Sequence, residues 1–256
     1  MVEETPPRKK ILIGLTGSVA SVKCSELMYS FLELNYDVRV IATKSALHFV
    51  ALSEGYDLES KKRLDKAVSF RRKSSVTSAT ESTSSDEKIF LTDEDEWKSY
   101  KNVGGGIRGS GDHVLHIELR KWADIFVIAP LSANTLAKIA NGICDNLLTS
   151  VARAWEFTTI GGKIQPKKPI IVAPAMNTAM WHHPLTSNHL KVIESLGFIV
   201  VQPVKKVLAC GDLGDGALAS IQDIIRSVQE LINNDGKVLS SSLKTEEEIQ
   251  EGFTRC

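Results

Sequence analysis

Short apolar segments recur along this chain, and each is followed by a stretch of helical character. The apolar segments predict buried strands at residues 11–16, 38–42, 124–129 and 170–173, with a weaker one at 198–201. Strands that alternate with helices are typical of a parallel sheet with right-handed crossovers. We therefore expect an α/β fold with a single doubly wound, mainly parallel sheet, flavodoxin-like or Rossmann-like, flanked by helices. The pattern does not give the order of the strands.

The apolar pattern covers residues 10–232, which we interpret as one domain between a flexible N-terminus at 1–9 and a flexible tail at 233–256. Two segments interrupt it. From about 54 to 88 the chain is charged, then rich in serine and threonine, so it cannot offset its own ordering entropy and a disordered insertion is predicted. Residues 102–112 are rich in glycine but have no flanking strand and helix, which favours a flexible loop over a phosphate loop.

Composition and charge exclude several classes of function. The 256 residues include 31 lysines and arginines and 31 aspartates and glutamates, so no net charge attracts nucleic acid or an anionic membrane. No apolar stretch reaches the length of about 20 residues that a membrane span needs, and the N-terminal MVEETPPRKK lacks the apolar region of a secretory signal. We expect no nucleic acid or membrane partner and a cytoplasmic protein, with nuclear residence left open.

The four cysteines are scattered and form no CxxC pair, which argues against a disulfide framework and against a metal site. Cys24 and Cys144 fall in stretches of helical character, and we expect both to be buried packing residues. Cys256 lies in the polar tail, and Cys210 lies among several glycines.

The turn after the first strand contains Gly17 and Ser18 but neither GxGxxG nor GxxxxGK[ST], so a dinucleotide or nucleoside triphosphate is not favoured. A glycine and a hydroxyl at a helix N-terminus can still bind one phosphate group. The second strand ends similarly at Thr43, Lys44 and Ser45, without the acidic residue that favours NAD. Two such helix starts suit a monophosphate such as that of FMN, while helix capping is the alternative role for Ser18 and Ser45.

The third strand also ends in polar residues. Ser132, Asn134 and Thr135 gather hydrogen-bond donors and acceptors at the edge of the sheet, which suits the polar rim of a flavin ring. Asn134 could instead serve only as a helix cap, and the sequence leaves both roles open.

The segment APAMNTAMW at 173–181 follows the strand at 170–173 and places an amide between two thioethers. Asn177 is the polar group, and Met176 and Met180 are adaptable apolar walls. Ligands of doubly wound sheets bind beyond the carboxyl ends of the strands, where this segment is expected to lie. A packed loop whose asparagine only holds its own turn is the alternative.

Together these segments resemble the homo-oligomeric flavin-containing cysteine decarboxylases, and within them the phosphopantothenoylcysteine decarboxylases of coenzyme A biosynthesis. The resemblance spans nearly the whole chain apart from the insertions, the tail and the extreme N-terminus. The motifs that carry it are GSVA at 17–20, TKSALHF at 43–49, DEDEW at 93–97, VLHIELRKWAD at 114–124, APLSANT at 129–135, GICDNLLTSVARAW at 142–155, APAMNTAMW at 173–181 and KKVLACGDLGDGALA at 205–219. Their joint occurrence is highly specific.

The resemblance implies FMN as the cofactor and the conversion of 4′-phosphopantothenoylcysteine into 4′-phosphopantetheine and carbon dioxide. The amide-linked cysteine has no free amine for a Schiff base, and its carboxyl-bearing carbon has no adjacent electron sink. Oxidation of the CH₂–SH group to a thioaldehyde provides that sink. Carbon dioxide then leaves to give an enethiol, and the electrons return from the flavin, so there is no net redox change.

The resemblance also implies roles for individual residues. His116 would act as the base in the oxidation step, because an imidazole is mostly neutral at pH 7. Asn177 would bind the substrate carboxylate as a neutral amide, which stabilises the ground state less than a fixed cation. Cys210, in a glycine-rich flap, would be the acid in enethiol reduction. Met176 and Ala209 would contact the substrate, and the FMN contacts map to Gly17, Ser18, Val19, Thr43, Ser45, Ser132, Ala133, Asn134, Thr135 and Ala175.

Members of this family form trimers with active sites between subunits, so the resemblance implies a homotrimer, or a heterotrimer with paralogous chains. A second interpretation is a regulatory subunit that inhibits a protein phosphatase, as fungal relatives do. Asn177 and Cys210 favour an enzyme, and a dual role stays open. A third is another flavoenzyme, either a peptidyl-cysteine decarboxylase or a flavin prenyltransferase, and the joint presence of His116, Asn177 and the flap argues against the prenyltransferase. The insertions and the longer stretch at 156–168 depart from the compact family pattern.

Overall fold

The computed structural model describes residues 8–76, 89–99, 114–207 and 213–233. Helices and strands alternate along these residues. The strands are β1 (Lys10–Leu15), β2 (Asp37–Ala42), β3 (Phe90–Leu91), β4 (Ile125–Leu131), β5 (Phe157–Ile160), β6 (Lys163–Pro166), β7 (Ile170–Pro174), β8 (Ile199–Val200), β9 (Val204–Val207) and β10 (Leu213–Ala217). The helices are α1 (Cys24–Glu33), α2 (Lys44–Val50), α3 (Ser53–Tyr56), α4 (Leu58–Val76), α5 (Asp93–Ser99), α6 (Leu115–Trp122), α7 (Ala133–Ala140), α8 (Leu147–Ala154), α9 (Thr178–Trp181), α10 (Pro184–Ser195) and α11 (Ile221–Asn233), and a 3₁₀ helix at Val19–Lys23 precedes α1.

The described strands form one six-stranded parallel sheet in the order β3-β2-β1-β4-β7-β8, with two separate antiparallel hairpins. At its centre, Ile13 of β1 pairs with Val40 on one side and Val127 on the other. The chain first winds outward from β1 to β3 and then, from β4, in the opposite direction. This reversal creates a switch point between β1 and β4, where doubly wound proteins bind ligands. The predicted fold class is confirmed, and the structure adds the strand order.

Both faces of the sheet are covered, which explains why the strands are continuous apolar segments rather than alternating ones. Ile13 of β1 lies in one buried cluster with Phe31 of α1. Its neighbour Leu12 faces the other way and lies in a second cluster with Leu148 of α8. The two clusters hold β1 and β4 rigidly between layers of helices, so the turns at their ends have fixed positions.

The prediction of disorder from residue 54 is wrong as far as residue 76, because this part forms α3 and α4. Leu64 of α4 is buried in the cluster that contains α1. The Arg71 guanidinium donates to the main-chain oxygens of Leu32 (2.8 Å), in the last turn of α1, and Tyr36 (2.6 Å), in the loop that follows. A charged composition does not prevent folding here, since one apolar stripe along α4 is enough to pack on α1. Residues 77–88 and the glycine-rich stretch at 102–112 lie outside the described residues.

The longer stretch at 156–168 contains the antiparallel hairpin of β5 and β6, in which Thr158 pairs with Gln165. The Trp155 indole donates to the main-chain oxygen of Lys168 (2.8 Å) and closes the base of this hairpin.

The expectation that Cys24 and Cys144 are buried packing residues is correct for one of the two. Cys24 is buried, whereas Cys144 is exposed in the loop that precedes α8, so its prediction as a packing residue is wrong. In the described residues, no helix combines the length and hydropathy required to cross a membrane.

Candidate active site

Thr16 joins the two strands of the switch point. Its hydroxyl donates to the main-chain oxygen of Pro130 (2.7 Å) and accepts from the main-chain nitrogen of Ser132 (2.7 Å). Ser21 donates to the main-chain oxygen of Thr16 (2.8 Å). These bonds fix the turn after β1 against the turn after β4. Sequence reasoning missed this residue, although a hydroxyl directly after the apolar run of β1 was the available signal.

Gly17 lets this turn approach the start of α2. A Cβ atom on Gly17 would lie 2.7 Å from the Cβ atom of Ser45, a distance that side chains do not adopt. Ser18 accepts from the main-chain nitrogen of Ala20 and caps the 3₁₀ helix, so the capping alternative holds for Ser18. The cap of α2 is Thr43, and Ser45 is left facing a cavity, so the capping alternative is wrong for Ser45.

The structure also identifies the residue that caps α7. Ser132 is the cap, accepting from the main-chain nitrogen of Thr135 (3.4 Å) and donating to the Thr135 hydroxyl (3.3 Å). Asn134 is therefore not the cap of this helix. Its side chain is at the wall shared by two adjoining cavities.

These two cavities lie at the carboxyl ends of the strands and share Gly17 and Asn134. The smaller one has a volume of about 270 Å³ and a polar lining that includes Thr43, Lys44, Ser45, Thr135, Lys138 and Asn146. The larger one has a volume of about 600 Å³ and a mainly apolar lining that includes Ser18, Val19, Ser132, Ala133, Ala175, Met176, Asn177 and Met180. Every residue predicted to contact the cofactor, from Gly17 to Ala175, therefore lines one or both cavities.

Two lysines line the smaller cavity, of which sequence reasoning named Lys44 only as part of the second helix start and did not identify Lys138. Lys44 begins α2, and Lys138 in α7 pairs with Asp145 (2.6 Å). The Lys138 ammonium lowers the pKa of Asp145 chiefly through their hydrogen bond. Across the same cavity, Asn146 caps α8 with a reciprocal bond to Thr149. The carboxylates of Asp93 and Asp145 also line this cavity and balance the two lysines, so what the cavity offers a small anion is its set of amide, hydroxyl and ammonium donors rather than a net positive charge.

The loop after β7 places Asn177 on the wall of the larger cavity. The Met176 main-chain nitrogen donates to the oxygen of Gly216 in β10 (2.9 Å), and a Cβ atom on Gly216 would be only 2.2 Å from the Met176 oxygen. The Asn177 Oδ1 atom accepts from the Ala179 main-chain nitrogen (2.8 Å) and caps α9. Asn177 thus holds its own turn and also borders the cavity, so the two interpretations of this residue are compatible.

The hairpin of β9 and β10 borders the same cavity through Lys206, Gly216 and Ala217. The residues that connect its strands, 208–212, lie outside the described residues. Ala209 and Cys210 are among them, and their assigned roles remain predictions.

His116 lies apart from the two cavities, in the first turn of α6. Its Nδ1 atom is 2.6 Å from Oε1 of Glu96, and its main-chain nitrogen donates to Oε2 of the same carboxylate (3.0 Å). His116 is not among the residues that line either cavity, so the described chain does not bring it to Asn177. Sequence reasoning did not identify Glu96, whose only signal was its position in the DEDEW motif. His113 lies outside the described residues.

Comparisons with known proteins agree with this fold. A family model described as Flavoprotein matches residues 2–233. A phosphopantothenoylcysteine decarboxylase of Oryza sativa subsp. japonica is 46% identical over 215 residues, which cover 84% of this chain and 76% of that protein. A solved cysteine-to-serine mutant of PPC decarboxylase, complexed with pantothenoylaminoethenethiol, is 40% identical with a TM-score of 0.66 and covers 89% of this chain and 100% of that one. The FMN binding protein AtHal3 is 41% identical with a TM-score of 0.64, covering 89% and 98% of the two chains.

Proposed function

The chain belongs to the Flavoprotein family, and within it to the phosphopantothenoylcysteine decarboxylases, and from this premise we propose that it uses FMN to convert 4′-phosphopantothenoylcysteine into 4′-phosphopantetheine and carbon dioxide. The enzyme is a carboxy-lyase with no net redox change. One solved relative carries an enethiol ligand, which is the class of intermediate that this route produces. The observation that carries the proposal is the pair of adjoining cavities at the switch point.

The linings of the two cavities fit the two ends of FMN. Ser45 and Lys44 offer the smaller cavity hydroxyl and ammonium donors for a phosphate group, while Lys138 is paired with Asp145 and Asp93 also lines the cavity. The larger cavity offers Val19 and Met176 as apolar walls for a ring system. When bound, FMN would supply the reversible two-electron acceptor that oxidation of the substrate CH₂–SH group requires.

Asn177 holds the substrate carboxylate in this proposal. Its Oδ1 atom accepts from the Ala179 main-chain nitrogen, so the group that can donate to a carboxylate is the amide NH₂. This cap also fixes the orientation of the side chain relative to α9. A neutral donor orients the carboxylate without the strong ground-state stabilisation that a fixed lysine or arginine would add, and this keeps the barrier to carbon dioxide release low.

The role proposed for His116 requires an oligomer. His116 does not line the cavities of its own chain, yet it must reach the substrate if it is the base of the oxidation step. We propose a cytoplasmic homotrimer, or a heterotrimer with paralogous chains, in which His116 of one subunit faces the Asn177 loop of another. Partial exposure of the His116 side chain (24%) leaves it accessible to such a neighbour.

Cys210 is proposed as the acid of the final step. The described strands of its hairpin border the larger cavity and are bound to the Asn177 loop through Met176 and Gly216. A thiol keeps its proton at neutral pH and can deliver it to the enethiol carbon.

Turnover of purified protein tests the proposed function. Protein loaded with FMN is incubated with 4′-phosphopantothenoylcysteine, and carbon dioxide and 4′-phosphopantetheine are measured by mass spectrometry. The matched control is the serine analogue of the substrate, which lacks the thiol and should release no carbon dioxide. Flavin-loaded protein that releases none from the cysteine substrate, or folded protein that cannot be loaded with FMN, contradicts the proposal.

A further inference from the structure

Glu96 and His116 form a two-point contact between helices that are distant in sequence. Glu96 lies on α5 and is buried, and both of its carboxylate oxygens bind the same residue. Oε2 accepts from the main-chain nitrogen of His116 at 3.0 Å, and Oε1 is 2.6 Å from the ring atom Nδ1. The carboxylate therefore fixes both the backbone and the ring of the histidine.

The first contact also compensates for a missing cap. Val114 occupies the cap position of α6 but has no side chain that can accept from the first turn. The main-chain N–H groups of a first turn lack partners within the helix and favour a negative charge nearby. Glu96 provides both the acceptor and the charge from α5, so the start of α6, and with it His116, is held in one position.

The second contact determines which ring nitrogen carries the proton. An ionised carboxylate accepts hydrogen bonds and donates none, so the contact at 2.6 Å requires a proton on Nδ1. In a neutral imidazole, the other nitrogen, Nε2, then has a free lone pair and can accept a proton. The same logic orients the histidine of catalytic triads, where a carboxylate on one ring nitrogen sets the other as the base.

We propose that Glu96 is a positioning residue that holds His116 in the Nδ1–H tautomer and thereby makes Nε2 the proton-accepting atom of the oxidation step. The proposal rests on the proposed function, because it assigns His116 the role of base. It adds an atom-level assignment and a second residue to that role. Oxidation of the CH₂–SH group removes two hydrogens: one leaves as a proton and binds Nε2, giving an imidazolium that the Glu96 carboxylate stabilises, and the other leaves with the electron pair that bound FMN would accept.

Glu96→Gln tests this two-point contact, because glutamine has almost the same shape as glutamate. The main-chain N–H of His116 can only donate, so the glutamine oxygen must face it and the glutamine NH₂ must face Nδ1. That NH₂ group donates to Nδ1 and moves the ring proton to Nε2. The variant should therefore keep the cap of α6 and invert the tautomer. Glu94→Gln, at an exposed position of the same helix, is the matched control.

Two measurements on full-length, FMN-loaded protein decide the outcome. Nitrogen chemical shifts of ¹⁵N-histidine report the tautomer, with the signal of His116 identified by its loss in His116→Asn. Wild type and Glu94→Gln should show the Nδ1–H form, and Glu96→Gln the Nε2–H form. Steady-state kinetics should show kcat reduced at least about 100-fold in Glu96→Gln, with KM changed less than about threefold. Glu96→Asp, which keeps a carboxylate, should retain the Nδ1–H form and recover part of kcat.

Three results would overturn the proposal. An Nε2–H form in the wild type, or an unchanged tautomer in Glu96→Gln, would show that Glu96 does not set the tautomer of His116. An inverted tautomer with wild-type kcat removes its role in catalysis. If Glu96→Gln does not fold, Glu96→Asp and the wild-type spectrum decide between these outcomes. Wild type that shows the Nδ1–H form but releases no carbon dioxide contradicts the proposed function instead, and the spectrum identifies that case separately.

Discussion

Replacement of Thr16 by valine tests whether the fold builds this site as we describe. The Thr16 hydroxyl makes two hydrogen bonds of 2.7 Å across the junction between β1 and β4, one with Pro130 and one with Ser132. Valine has nearly the same volume but a methyl group in place of the hydroxyl. Thr16→Val therefore removes both bonds while the packing of this fully buried position changes little.

The magnitude follows from the two groups that lose their partner. A buried hydrogen bond contributes about 0.5–1.5 kcal/mol net, and a buried donor or acceptor left unpaired costs about 1–3 kcal/mol. We expect Thr16→Val to lower the free energy of unfolding by about 2–4 kcal/mol. For a domain of this size that corresponds to a decrease in Tm of roughly 4–16 °C. Because Ser132 and Ala133 line the larger cavity, the affinity for FMN should fall as well.

Urea unfolding of flavin-free protein, at one fixed protein concentration, measures the change in free energy. Fluorescence titration with FMN measures the change in Kd. The matched control is Thr16→Ser, which keeps the hydroxyl and loses only a methyl group, a loss of about 1 kcal/mol. If the two variants unfold with free energies that agree within about 0.5 kcal/mol, the hydroxyl does not hold the junction and the reasoning is refuted.

Three further changes test other parts of the molecule. Leu64→Ala should lower the free energy of unfolding in urea by about 2–4 kcal/mol, because Leu64 is buried between α4 and α1; a disordered segment would lose nothing. Asn177→Asp should keep the cap on α9, since a carboxylate also accepts from Ala179, but lower kcat/KM at least about tenfold by repelling the substrate carboxylate, and unchanged kinetics with bound flavin would place that carboxylate elsewhere. Cys210→Ser should release carbon dioxide and accumulate an oxidised, decarboxylated product in mass spectrometry, whereas normal formation of 4′-phosphopantetheine would show that another group is the acid.

The amino-acid sequence by itself determined the local features of the fold. The strands β1, β2, β4 and β7 were predicted from the sequence, because a strand that is apolar on both faces has to be buried between two layers of helices. The turns at Gly17, Thr43 and Ser132 were predicted because glycine and hydroxyl residues at a strand-to-helix junction have a restricted set of roles. The predicted cofactor contacts, all of which line one or both of the two cavities, were identified from these turns and from the family motifs.

Composition did not predict correctly whether a segment folds when its folding depends on packing against another part of the chain. The segment from residue 54 was predicted to be disordered, because its own residues bury little apolar surface. The structure shows that α4 needs only one stripe, with Leu64 in it, to pack on α1, and that Arg71 binds the end of that helix. Whether such a stripe finds a surface is a property of the fold and cannot be read from the segment.

Only the tertiary structure decided the contacts that join distant parts of the chain. Thr16 meets Pro130 and Ser132 more than a hundred positions away, because β1 and β4 are neighbours at the switch point. Glu96 reaches His116 because α5 packs against α6. The order of strands and the pairing of side chains depend on the total free energy of many such contacts, whereas helix caps and apolar runs depend on a few adjacent residues. That difference in range is why the chemistry of the site was visible in the sequence and its geometry was not.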